Sequence, residues 1–191
     1  YVHLYGYVYR DEEEKMRKYR RNLELLEKEL EENPADLKAY HQLSKQYFVV
    51  KDNDKIRACC ERGLQVEREH PSRIWRLSIL HNLIQSLFDE GKYEELLQKT
   101  EELFRTDPYT EISWLDFRYY AQLAAFNLKQ YERSASHGTE YLKAYEKYRA
   151  GKLDKDMLLF GDHYYLKPQH REHMLRLTGW AFYRLDDSEK A

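Results

Sequence analysis

Helix breakers are scarce in this chain of 191 residues: seven glycines and four prolines. That excludes a flexible linker or a low-complexity segment of any length. Cysteine is almost absent too. The two present, Cys59 and Cys60, are adjacent, and neighbours bridge only with strain, so no disulfide framework exists. A reduced pair is expected, with a vicinal redox pair as the rival. No apolar run approaches the ~20 residues a membrane span needs, and no signal-peptide pattern opens the chain. Neither sign of charge dominates: 32 basic residues face 34 acidic ones, a net of −2. The basic excess by which nucleic-acid binders neutralise phosphates is missing. Met16-Arg17-Lys18-Tyr19-Arg20-Arg21 is the only dense basic patch, and it follows Asp11-Glu12-Glu13-Glu14 as one side of a solvated helix. A cytoplasmic protein is expected, with no nucleic acid and no membrane span among its partners.

What is present is tyrosine, 18 of them, and helix periodicity almost throughout. Pro34, Pro71 and Pro108 fall 37 residues apart. Even spacing of breakers in a helical chain points to an internal repeat. Between them lie pairs of amphipathic segments joined by short turns, Lys51-Asp52-Asn53 and Glu90-Gly91-Lys92. Each first segment carries a large residue, an apolar one at +3, a small one at +4 and a bulky one at +7. Tyr40, Leu43, Ser44 and Tyr47 fit, followed by Ile56, Cys60 and Gly63. Leu80, Leu83, Ile84 and Leu87 follow with Leu96, Thr100 and Leu103, Ile84 being larger than the pattern asks. Arg118, Ala121, Gln122 and Ala125 match poorly, but Ser134, Gly138 and Tyr141 recover the pattern. A fourth unit reads Leu175, Thr178, Gly179 and Phe182, and Ala191 stands where its second helix would begin. Small residues let the helices of a pair approach, and large ones fill the groove between pairs.

This pattern resembles the tetratricopeptide repeat over residues 35–191. The resemblance implies an all-α fold, a right-handed α-solenoid of helix pairs near 35–70, 72–108, 109–150 and 168–191, the last one truncated. Residues 143–172 carry more chain than a repeat needs, with the insertion proper near 150–167. Ahead of the repeats, residues 11–34 read as a long helix opened by Asp11 and Glu14 at capping-box spacing. Its apolar seam, Met16, Tyr19, Leu23, Leu26 and Leu30, suits a capping helix over the first pair. A coiled-coil dimer is the alternative.

Residues 1–10 do not read as helix. YVHLYGYVY alternates with period two, the signature of a strand. A lone strand buries too little to stand alone and nothing else in the chain offers a ladder. Its partners are therefore expected on another molecule or on residues beyond these; Tyr at position 1 fits a start inside a longer polypeptide. The run Val2-His3-Leu4-Tyr5-Gly6-Tyr7, then Arg21-Asn22-Leu23-Glu24-Leu25-Leu26, then Pro34-Ala35-Asp36 is similar to a particular junction. Bacterial family-2 glycosyltransferases carry such residues where the catalytic domain passes into a C-terminal tetratricopeptide-like region. The resemblance implies a parent enzyme with a nucleotide-sugar donor, a divalent metal ion and inversion at the anomeric carbon. It places His3, Tyr5, Gly6 and Tyr7 at the edge of that absent domain, with His3 near the metal or diphosphate. It implies no cofactor within this chain.

Candidate chemistry in the chain itself is thin. Asp52-Asn53-Asp54 has the spacing of a metal-binding carboxylate pair, but it occupies a turn between helices, and Asp154-Lys155-Asp156 is no better. His163, His170, Glu172 and His173 gather four potential zinc ligands, with His170 and His173 three apart rather than the favoured four. A solvated mixed-charge face is the plainer reading. No phosphate loop or nucleophile elbow occurs. What remains is a binding surface. The first helix of each pair should line a concave groove with His41 and Lys45, His81 and Gln85, Tyr119 and Leu123, Arg176 and Trp180. That mixture suits an extended peptide, an acceptor protein or a glycan, and lacks the Lys/Asn clamp for a C-terminal carboxylate. Packing of this face on another domain is the competing role. Two functions follow: a module that recruits or positions the acceptor for an attached glycosyltransferase, or a free-standing scaffold for protein–protein contacts. Whether the chain forms a homodimer is left open by the sequence.

Overall fold

In the computed structural model, the residues described are 11–106, 114–152 and 168–189. Among them lie eight α-helices and no strand: α1 (Glu12–Glu32), α2 (Leu37–Val49), α3 (Asn53–Glu69), α4 (Arg73–Asp89), α5 (Tyr93–Thr106), α6 (Trp114–Asn127), α7 (Tyr131–Arg149) and α8 (Pro168–Glu189). The all-α expectation is met. The strand expected over 1–10, with His3, Tyr5, Gly6 and Tyr7, lies outside the described residues, as does most of the insertion near 150–167.

Caps set the helix starts. Asp11 Oδ1 accepts from Glu14 N at 2.7 Å, Asp36 Oδ1 from Ala39 N at 3.0 Å, and Asp52 Oδ1 from Lys55 N at 3.1 Å. Each satisfies an amide that has no partner within the helix. Pro34 and Pro71 precede α2 and α4, and Pro168 opens α8, where a missing N–H costs nothing.

The ends of α2, α4, α6 and α7 repeat one device. Lys51, Gly91, Lys129 and Gly151 take left-handed backbone, φ 55°, 72°, 60° and 66°. The next amide reaches back five residues: Asp52 N to Tyr47 O at 3.2 Å, Lys92 N to Leu87 O at 2.9 Å, Gln130 N to Ala125 O at 2.9 Å, Lys152 N to Lys147 O at 3.0 Å. This is the Schellman closure. The first three end their helices just before α3, α5 and α7, and α3 packs back on α2 and α7 on α6.

The chain divides into two compact units, Tyr1–Asn82 and Leu83–Ala191. In the first, α1 and α3 both pack on α2. Ile56 and Cys60 are fully buried with Ser44, and Gly63 leaves room for Tyr40 and Ile79: a Cβ there would stand 2.9 Å from Tyr40 Cβ and 3.1 Å from Ile79 Cδ1. Cys59 Sγ donates to Tyr40 O at 3.4 Å. Both thiols are free and buried, and burial pushes the Cys59 thiol up to about 12. A thiol so disfavoured as thiolate is inert, which fits the reduced pair. α1 covers α2 lightly: its five seam residues are half-buried and none of its residues is buried.

In the second unit α6 packs on α5, α7 and α8, and α7 on α8. Leu115, Tyr119, Tyr141, Tyr145 and Met174 form its core cluster, with Leu123, Leu142, Ala144 and Tyr148 against it. Gly138 does the work that Gly63 does in the first unit, admitting Gln122 and Thr178. Gln122 Nε2 donates to Thr178 Oγ1 at 2.9 Å, and Thr178 Oγ1 donates to Met174 O at 2.7 Å.

Candidate binding surface and a buried ion network

The expected groove residues divide by surroundings. In the first unit His41 and Lys45 are half-buried on α2, and His81 on α4. Asn82 Nδ2 donates to Ser44 Oγ at 2.8 Å and to His41 O at 3.4 Å, and lies 3.3 Å from His41 Nδ1. The Trp75 ring stands 5.8 Å from the His41 ring. A histidine, an amide and an indole, each partly open to solvent or next to a group that is, therefore meet on α2 and α4. Such a cluster can accept and donate hydrogen bonds and offer an aromatic face to a peptide or a sugar ring.

In the second unit Gln85 is half-buried, while Arg176 is exposed and Trp180 is 57% exposed. Tyr119 differs. It is 9% exposed, its ring belongs to the core cluster, and its Oη lies 2.9 Å from His173 Nδ1. Its ring also meets His170 and His173 at 5.6 and 5.8 Å. The helix α8 covers it, so Tyr119 holds α6 to α8 instead of facing an open groove, and Leu123 is half-buried against the same cluster.

The histidines weighed as zinc ligands thus turn toward a tyrosine. Among the described residues no group of three His, Cys, Asp or Glu side chains could hold a metal ion, and His163 lies outside them. The carboxylates of Asp52-Asn53-Asp54 are committed elsewhere. Asp52 caps α3, and Asp54 pairs with Arg57 at 2.7 Å. With those partners they do not form a divalent-ion site.

A constellation that the sequence did not suggest sits between α5, α6 and α7. Arg118 lies flat over the Phe104 ring, 3.7 Å from its centroid, and its Nη1 donates to His137 Nδ1 at 2.8 Å. Arginine can only donate, so the imidazole is neutral with its proton on Nε2. That nitrogen points to Glu101 Oε1 at 3.5 Å. Glu101 also accepts from Arg133 Nη2 at 2.8 Å and Nε at 3.1 Å, and Arg133 Nη1 bonds Gln130. His137 is 5% exposed, and burial, then the Arg118 charge, hold its pKa down to about 4 against the pull of Glu101. Burial likewise lowers Arg118. Glu101 and Arg133 remain partly exposed at the edge of the network, while His137 and Arg118 lie deeper. Its chemistry is that of a clamp joining three helices.

Arg118 occupies the place of the large signature residue, which is why that unit matched poorly. The signal available was an arginine at a core register facing a histidine flanked by Ser134 and Gly138. No family model, no curated protein and no solved structure matches this chain.

Proposed function

We propose that this chain is a non-catalytic, tetratricopeptide-like repeat module that positions the acceptor for an attached family-2 glycosyltransferase using a nucleotide-sugar donor. The observation that supports a repeat module best is the recurrence of one turn. The same left-handed closure ends α2, α4 and α6 at matching register and leads each within two residues of the next helix. On this reading successive pairs stack as a right-handed solenoid, with α1 as the cap. The first helices then present His41 and Trp75, His81 and Gln85, and Arg176 and Trp180 to an acceptor peptide or glycan. Tyr119 supports the surface from beneath. The enzymatic parent rests on the junction motif around His3, Tyr5, Gly6 and Tyr7.

The test compares acceptor transfer with donor hydrolysis by the native polypeptide. Trp180→Ala and His41→Ala should each raise the KM for acceptor several-fold, as expected for losing an aromatic contact worth about 0.5–1.5 kcal/mol. Donor hydrolysis should stay at the native rate. Unchanged acceptor use in both variants would refute recruitment by this surface. A native polypeptide with the mass of this chain, 23.4 kDa, would replace the enzymatic parent with the free-standing scaffold.

A further inference from the structure

In the first unit the amide of Asn82 is locked in one orientation. Ser44 Oγ donates its proton to His41 O at 2.9 Å, so toward Asn82 it can only accept. Three acceptors therefore face the Asn82 NH2 group. They are Ser44 Oγ at 2.8 Å, His41 O at 3.4 Å, and His41 Nδ1 at 3.3 Å with the ring proton on Nε2. Turning the amide over would set its oxygen against all three. Oδ1 is thus directed away from them, and no described residue donates to it. Asn82 is 6% exposed. A donor that reaches Oδ1 makes a hydrogen bond that the fold itself leaves unmade.

Trp75 shares this face of α4, two turns before Asn82. Its half-buried ring stands 5.8 Å from the His41 ring, tilted by 42°. The indole N–H only donates, and no described residue accepts from it. Ile74 beside it is 39% exposed. The large apolar residues of α2, Leu37, Tyr40, Leu43 and Tyr47, are buried inside the unit instead. Neither α2 nor α4 as far as Asn82 carries a carboxylate.

The face therefore offers one flat ring, a donor at its edge and an acceptor of fixed direction. Ligand classes meet it differently. An amphipathic helix needs a row of exposed apolar side chains, which is not what stands beside His41. An extended peptide pairs best with an amide that gives both halves, oxygen to its N–H and NH2 to its C=O. Here the NH2 is already spent. A sugar suits what is left. The C–H face of a pyranose covers an aromatic ring, and one of its hydroxyls donates to Asn82 Oδ1. A hydroxyl of the adjoining sugar residue accepts from the indole N–H.

We propose that this α2–α4 face binds a carbohydrate, with one pyranose stacked on Trp75 and a hydroxyl donating to Asn82 Oδ1. The proposal rests on reading the face as the acceptor surface, and it narrows that acceptor to a glycan. Its test needs no enzyme, so the two fail separately.

The isotope-labelled chain is titrated with methyl pyranosides of glucose, galactose, mannose and N-acetylglucosamine, up to ~50 mM. Three tryptophans give three indole N–H resonances, and Trp75→Phe identifies the one from Trp75 by its loss. At least one glycoside should shift that resonance saturably, with a Kd of about 1–10 mM for a single stacked ring. A capped alanine tripeptide at the same concentration should leave it in place. Trp75→Ala and Asn82→Leu should each weaken sugar binding at least ~5-fold by ligand-observed saturation transfer. Circular dichroism checks that both fold, and Trp75→Ala, at a partly exposed ring, keeps the test if Asn82→Leu does not. A Trp75 resonance that none of the four glycosides moves overturns the proposal. So does a shift that the tripeptide reproduces, or a sugar affinity that survives both substitutions. Acceptor transfer weakened by His41→Ala without any sugar binding keeps the acceptor surface, gives it to a peptide and overturns the glycan. Sugar binding with acceptor transfer unchanged upholds the carbohydrate site and refutes recruitment.

Discussion

Acidification should destabilise the second unit through His137 well before the pH at which that residue titrates in the fold. Its pKa falls from 6.5 to about 4 because it is buried, with Arg118 next to it. The unfolded chain therefore binds a proton between those values that the native state refuses. The contribution is fully present above pH 6.5 and is lost as pH falls toward 4. Integrating the linkage between the two pKa values gives a loss of about 2 kcal/mol from pH 7 to pH 5, rising to about 3 kcal/mol at pH 4. Other groups also titrate in that range, so the measurement is a difference. His137→Asn keeps an acceptor for Arg118 and cannot charge. Urea unfolding of both proteins, followed by circular dichroism at pH 7 and pH 5, should show their stability gap shifting by about 2 kcal/mol in favour of the variant at the lower pH. A gap that does not move with pH would refute the buried neutral imidazole, as would a His137 ring resonance that titrates near 6.5.

Two more outcomes follow from backbone and packing. Gly138→Ala would set a methyl 2.5 Å from Gln122 Nε2 and closer still to Thr178 Oγ1; overpacking and loss of a buried hydrogen bond should cost about 2 kcal/mol even after the helix-propensity gain of alanine, and a variant of native stability in urea would sink that account. Lys129→Gly should do the opposite, because Lys129 sits at φ 60°: relief of a left-handed side chain, less the extra entropy of glycine, leaves roughly 0.5–1 kcal/mol of stabilisation, so a lower melting temperature would argue against the left-handed turn.

Local features were legible in the sequence because they rest on few residues. Asp11, Asp36 and Asp52 stand where helices start, and a cap needs only one side chain and a nearby amide. The turns at 51–53 and 90–92 were readable as breaks in period, although Lys51 and Lys129 carry no glycine signal for left-handed backbone. The small positions, Ser44, Cys60, Gly63 and Gly138, announced close helix contacts, and the structure fills each with a neighbour. The candidate surface was legible only as a register. His41 was assigned to it, but Trp75 and Asn82 were not, since they approach His41 from a helix more than thirty residues later.

The sequence by itself determined that the described residues are helical, where several of their helices begin and turn, and where their small residues fall. Those properties follow from periodicity, capping and backbone preference, all read within one or two turns of chain. Tertiary structure alone decided what each polar side chain does. Tyr119 became a core residue because α8 lies over it, and His170 and His173 became its neighbours rather than metal ligands. Arg118, a poor match to its pattern, became the centre of an ion network because Phe104, His137 and Glu101 converge on it from two other helices. Charge, burial and hydrogen bonding depend on which distant groups meet, and no spacing along the chain encodes that meeting.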